Sequence, residues 1–319
     1  MTQETRRTVL RSAAAAGALV AGGVMAAPMA QAAAPRPRKR PPTFVFVHGA
    51  NGSSYGWTPL MRDLTLLGHR ALAVDLPGHG PGAYFPEAYQ TPQDTEALRT
   101  EPSPLKDVTL DDYVEHVTDV VRQAHRNGPV ILLGGSMGGA TITRVGNVVP
   151  DLIDHLVYLS AFCCTKLRSL WDYMQTDEAE GTLMGTIQGV PTAPELGVMR
   201  TNWRQASPDF LAKTKAAVAA EYSDAEWRAQ LNLFEPDETA AIGVSDARGD
   251  ARTWGRIPRT YVRYSEDRMI PPALQDLMIR HADELTPHNR FTVHTVKAPH
   301  LGPRDARALV RVLDEVAGG

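Results

Sequence analysis

Ser136 stands at the centre of Gly134-Gly135-Ser136-Met137-Gly138, directly after the apolar run Val130–Leu133 and at the start of a helical pattern reaching Val148. Gly-x-Ser-x-Gly between a strand and a helix is a sharp, strained turn that exposes the serine hydroxyl above a sheet. A hydroxyl becomes a nucleophile only when a base takes its proton, and the base needs an acid to orient it. Of the ten histidines, His300 is the expected base, because it lies in a loop after the strand-like run Phe291–Val296 and before the last helix. His294, inside that run, is expected to point into packing. Asp267 follows the run Thr260–Tyr264 and precedes Pro271-Pro272, on the same edge; Glu266 is the competing carboxylate, and Asp267 is the favoured orienter of the imidazole. A tetrahedral oxyanion needs fixed donors. The segment His48-Gly49-Ala50-Asn51-Gly52 lets the backbone turn inward after the first strand, so the amides of Ala50 and Met137 are the candidate oxyanion hole. His48 reads as an anchor of backbone groups rather than a second base. Together these residues would perform acyl transfer through a serine ester.

The elements that must position them alternate. Thr43–Val47, Ala71–Val74, Val130–Leu133, Leu156–Leu159, Thr260–Val262 and Phe291–Val296 are short apolar runs mostly without period-2 alternation, as in strands buried on both faces. Helical patterns lie between them at Trp57–Leu67, Leu110–His125, Met137–Val148, Pro272–Ala282 and Arg304–Val316. The chain is therefore expected to be α/β, with a mainly parallel, doubly wound sheet. Thr109, followed by Asp111 and Asp112, is a plausible helix cap, and Asn127-Gly128 a stop. The interval 162–255 shows no strand-like run but carries Trp171, Tyr173, Met174, Met184, Trp203, Phe210, Trp227 and Phe234 amid helical patterns. It is far longer than an ordinary crossover and is expected to be a helical cap over the sheet's carboxyl edge, giving an apolar, adaptable pocket. Between Pro77 and Val108, Pro81, Pro86, Pro92, Pro102 and Pro104 exclude regular structure; this stretch is either a functional rim or a loop packed down by its own Tyr84, Phe85 and Tyr89.

The 319-residue chain is 43% hydrophobic and 22% charged, with 33 basic against 36 acidic residues, which gives no electrostatic reason to expect nucleic acid or anionic lipid as partner. Its two cysteines, Cys163 and Cys164, are adjacent and cannot form a disulfide framework; they read as reduced and buried, with the pocket floor as the alternative placement. His and carboxylate residues show no metal-ligand spacing, and no metal or organic cofactor is implied. Residues 1–32 read as a cleavable export signal: Arg6-Arg7 precede an apolar Ala/Gly/Val/Leu run, and Ala30-Gln31-Ala32 offers a small-x-small cleavage site. The paired arginines resemble the twin-arginine signal, so the partner would be the machinery that exports already folded proteins. Cleavage near Ala32 removes three Arg and one Glu, leaving 30 basic against 35 acidic residues in an exported protein. Residues 33–42 (Pro/Arg-rich, ending PRPRKRPP) read as an extended linker, and 43–319 as one domain.

HGAN (48–51), DLPGHG (75–80), GGSMGG (134–139), YSEDRMIPP (264–272) and KAPHLG (297–302) stand in an order in which residues 43–316 resemble the α/β-hydrolases. More narrowly the chain is similar to the group of plant salicylate-binding methylesterases and hydroxynitrile lyases, with bacterial esterase-like proteins. The resemblance implies the α/β-hydrolase fold, a Ser136–Asp267–His300 triad, and a cap after the family's sixth strand that encloses substrate. Lyases of this group carry Thr where Gly49 stands and Lys where Leu301 stands, so the resemblance points to an esterase. Gly135, where His or Asn commonly precedes the serine, is expected to open space beside the nucleophile. Serine at 136 argues against epoxide hydrolases and haloalkane dehalogenases of this fold, which need aspartate there. The expectation is a cofactor-free hydrolase of a small to medium apolar ester or lactone. A perhydrolase (haloperoxidase-like) on the same triad, or a ligand-binding protein with little turnover, are the alternatives.

Overall fold

The computed structural model describes residues 40–187 and 189–318. The signal reading for 1–32 and the linker as far as residue 39 lie outside the described residues. No helix among the described residues is long and apolar enough to cross a membrane.

In chain order the core elements begin β1 (Thr43–Val47), α1 (Thr58–Leu66), β2 (Arg70–Val74), α2 (Leu110–His125), β3 (Val130–Ser136), α3 (Gly138–Val148) and β4 (His155–Ala161). The segment between β4 and the next core strand holds α4 (Leu170–Met174), β5 (Val198–Arg200), α5 (Pro208–Val218), α6 (Asp224–Gln230), β6 (Asp237–Thr239) and α7 (Ala241–Val244). β7 (Arg259–Tyr264), α8 (Pro272–Leu285), β8 (Thr292–Val296) and α9 (Arg307–Gly318) complete the fold. Six strands form one sheet in the order β2-β1-β3-β4-β7-β8, every neighbouring pair parallel. This is the expected α/β class.

The unbroken apolar runs are explained by burial on both faces. Along β1, Val45 and Val47 enter one core with residues of α2, α3 and α8, while Phe44 and Phe46 enter a second with α1 and α9. β3 divides in the same way: Val130 and Leu132 on one side, Ile131 and Leu133 on the other. Thr109 caps α2 as expected, accepting from the Asp112 amide while Asp112 accepts from the Thr109 amide. Such a cap contributes about 1 kcal/mol.

Three local expectations are corrected. The 162–255 interval is not purely helical, since β5 and β6 form a small antiparallel pair; VMR and DET are too short and too polar to register as apolar runs. The Pro77–Val108 stretch contains 3-10 turns at Gly80–Gly82, Glu87–Tyr89, Ala97–Arg99 and Pro104–Asp107, and proline occupies the first or second position in the first and last of them, where its missing amide costs nothing. His294 does not point into packing: β8 is an edge strand whose residues 292–295 are exposed or half-exposed.

Candidate active site

Strands that run parallel bring all their carboxyl ends to one edge. β3 ends there in Ser136, β1 continues into His48–Gly52, and the loops after β7 and β8 bring Asp267 and His300 to the same place. Ser136 has φ 51°, a left-handed conformation that costs an L-residue roughly 1–2 kcal/mol. The turn is held because the backbone closes tightly around it: an added Cβ at Gly138 would lie 2.5 Å from the His48 carbonyl oxygen. Only glycine allows α3 to start so near β1.

His300 Nε2 lies 2.9 Å from Ser136 Oγ, and its Nδ1 lies 2.7 Å from Asp267 Oδ2. Asp267 is fully buried and accepts further hydrogen bonds from the amides of Met269 and Ile270, 2.7 and 2.9 Å from Oδ1. These two amides come from the residues immediately before Pro271, so the loop that delivers the carboxylate also orients it. Glu266, in contrast, pairs with Lys297 at the surface. The three residues singled out as nucleophile, base and acid are thus brought together in one hydrogen-bonded chain.

Two features of this chain are invisible in the sequence. Ser160 Oγ donates to Asp267 Oδ2 at 2.5 Å, the oxygen that His300 also contacts. Between β3 and β4 the register shifts so that Gly135 faces Leu159 and Ser136 faces Ala161, leaving Ser160 as the extra residue, at φ 40°. A bulge of this kind re-aims a side chain. The second feature is Trp57, whose ring occupies the space beside Gly135: an added Cβ there would lie 3.0 Å from the indole. The space expected to open beside the nucleophile is filled.

Ala50 lines the cavity over Ser136, and Met137 is the buried N-cap residue of α3. His48 is fully buried; its Nε2 accepts the Leu76 amide at 3.1 Å, which leaves the proton on Nδ1 to donate to the Gly49 carbonyl at 2.8 Å. Burial and the charge of His79 lower its pKa to about 4. It anchors backbone groups, as its position implied.

The cavity holds about 310 Å³. Its lining includes Trp57, Pro59, Leu60, Ala306 and Leu309 and, from the segment between β4 and β7, Val218, Tyr222, Gln230, Leu233 and Phe234. Of the aromatic and methionine residues expected to shape it, only Phe234 reaches the cavity; Trp203, Phe210 and Trp227 form a separate core beneath. Cys163 and Cys164 are free, fully buried in the main core, and absent from the cavity lining. The residues of the Pro77–Val108 stretch likewise do not line it: Tyr89 packs with Ala88 and Leu98.

A sequence model described as "Alpha/beta hydrolase family" matches residues 44–313. Methylesterase 18 of Arabidopsis thaliana is 26% identical over 265 residues, covering 74% of this chain and 83% of the relative. The alpha-hydroxynitrile lyase of the same plant is 26% identical over 241 residues, covering 72% and 80%. Among solved structures, a pyrethroid hydrolase from Sphingobium faniae JZ-2 superposes with a TM-score of 0.66 at 20% identity, over 87% of this chain and 98% of that one.

Proposed function

The chain belongs to the alpha/beta hydrolase family, and from that membership we propose that it is a serine-dependent carboxylic ester hydrolase acting on a small to medium, largely apolar ester or lactone. The observation that carries this reading is the continuous Asp267–His300–Ser136 hydrogen-bonded chain opening into a mainly apolar cavity. In the first half-reaction Ser136 Oγ attacks the carbonyl carbon while His300 Nε2 takes its proton. Negative charge moves to the carbonyl oxygen, which the Ala50 and Met137 amides receive. The intermediate then collapses: the bond to the alcohol oxygen breaks and His300 returns the proton to it. In the second, water attacks the Ser136 ester with His300 again as base, releasing the acid. Asp267 holds the imidazole in the tautomer with its proton on Nδ1 and stabilises the imidazolium.

Two positions favour hydrolysis over cyanohydrin cleavage. A Cβ at Gly49 would stand 2.8 Å from the Ser136 Cβ, so this backbone has no room for a threonine there. Leu301 follows His300 and packs against the core of the inserted segment, so it supplies no cation for a leaving cyanide. That segment, which walls the cavity through Val218, Tyr222, Gln230, Leu233 and Phe234, is read as the cap over the substrate. Residues 1–32 are read as a twin-arginine export signal; the protein recovered outside the cytoplasm is expected to begin near Ala33, by N-terminal sequencing.

The reading is tested with p-nitrophenyl esters of short and medium acids. A burst of p-nitrophenol is expected, with Ser136→Ala lowering kcat about 10⁴-fold or more. Silence of the wild type across a broad ester panel, with tight small-ligand binding retained by Ser136→Ala, would establish a binding protein instead.

A further inference from the structure

Beneath the oxyanion segment lies a buried bridge of one histidine between two carboxylates. His79 Nδ1 is 2.6 Å from Glu235 Oε2; its Nε2 is 3.0 Å from the Tyr113 hydroxyl and 3.5 Å from Glu238 Oε2. All four side chains are buried. The remaining valences are filled. Glu235 Oε1 accepts the Gly80 amide at 2.8 Å, and Glu238 Oε1 accepts the Tyr113 hydroxyl and the Thr239 amide, both at 3.0 Å. Buried charges are costly unless paired and hydrogen-bonded, and an apolar packing of the same volume is often at least as stable. Stability alone is therefore a weak reason for this arrangement.

Its contacts suggest another. Asn51 has φ 56° without being glycine. Its amide donates to Glu238 Oε2 at 3.0 Å, its carbonyl accepts the Glu235 amide at 2.9 Å, and its Nδ2 donates to the Glu235 carbonyl at 2.9 Å. The peptide plane between Ala50 and Asn51 is thus pinned by Glu238. The preceding plane carries the Gly49 carbonyl at one end and the Ala50 amide at the other; His48 Nδ1 holds that carbonyl at 2.8 Å. The His48 and His79 rings meet edge to face at 4.9 Å. Both planes flanking Ala50 are therefore fixed, one through His48 and one through the bridge, and the direction of the Ala50 N–H follows.

We propose that the Glu235–His79–Glu238 bridge positions the oxyanion loop, with Glu238, His79 and Asn51 as positioning residues for acyl transfer at Ser136. This rests on the ester-hydrolase reading above. The inserted segment thereby does more than wall the cavity, since β6, which carries Glu238, sets the geometry of a loop that belongs to β1.

The test measures kcat and KM on a p-nitrophenyl ester, together with the inhibition constant of a trifluoromethyl ketone that forms a hemiketal on Ser136. Glu238→Leu is expected to lower kcat about 10- to 100-fold, below the roughly 10²–10³ for outright loss of an oxyanion donor, with KM within about threefold. Affinity for the trifluoromethyl ketone falls by the same factor as kcat/KM, whereas inhibition by the unfluorinated ketone does not change. Asn51→Gly, whose φ suits glycine, keeps the loop's path and loses the Nδ2 tie; it is expected to show the same pattern more weakly, and it decides the matter if Glu238→Leu does not fold. If both folded variants keep wild-type kcat and ketone affinity, the bridge is merely structural and the proposal falls. A wild type that neither turns over esters nor reacts at Ser136 with a fluorophosphonate overturns the hydrolase reading and this proposal with it.

Discussion

Ser160 adopts φ 40° at the bulge opposite Ser136 and spends its hydroxyl on Asp267 Oδ2. That oxygen also faces His300 Nδ1. The hydroxyl therefore helps to fix the carboxylate that orients the imidazole. Ser160→Ala is expected to lower kcat several-fold. Ser160→Gly loses the same hydroxyl but tolerates the left-handed backbone, and should be more stable than the alanine variant by about 1 kcal/mol in denaturant titrations. Equal kcat in both variants and the wild type would show that the hydroxyl has no influence on the base. No spacing rule could have found Ser160. A lone serine in a strand is unremarkable until a register shift turns it.

At the scale of elements, the segment between β4 and β7 is joined to the rest by polar ties as well as by its own core. Arg200 on β5 is fully buried and forks onto Asp237 of β6, with Nε and Nη2 at 2.6 and 2.7 Å from its two oxygens. Arg200 Nη1 donates to the carbonyls of Leu98 and Glu101, tying β5 to the proline-rich stretch before α2. Glu101 in turn accepts from Tyr84 and from the amides of Glu87 and Ala88. The two long excursions thus brace each other, and the β6 that carries Asp237 also carries Glu238. Arg200→Met leaves a buried carboxylate unpaired and is expected to cost about 3–5 kcal/mol. Adding Asp237→Leu should recover part of that loss. Chemical denaturation of the single and double variants checks it; a single variant within about 1 kcal/mol of wild type would mean that Asp237 is rehydrated or protonated at little cost.

For the whole molecule the bridge makes stability depend on pH. Burial of the His79 ring pulls its pKa down, but hydrogen bonds to Glu235 and Glu238 and their charges outweigh burial and raise it from 6.5 to about 9. The folded protein therefore holds this proton more tightly than the unfolded chain, and the contribution is complete below about pH 6.5 and lost as pH rises through about 9. Wild type should lose stability relative to His79→Gln across that window; a constant difference would contradict a charged His79. The residues of the hydrogen-bonded chain and the α/β class were legible in the sequence because they depend on short-range rules. A glycine-flanked serine between a strand and a helix, and a histidine and an aspartate in loops after strands, share an edge once all strands run parallel. The burial of β1 on both faces was legible too, since Phe44-Val45-Phe46-Val47 has no polar face. What only the tertiary structure decided depends on residues distant in sequence meeting one another. Trp57 fills the space beside Gly135, Ser160 reaches Asp267, Glu235 and Glu238 close on His79, and three-residue strands form because each finds the other. Such contacts leave no periodic trace, because their free energy comes from burial and pairing that exist only when the chain has closed around them.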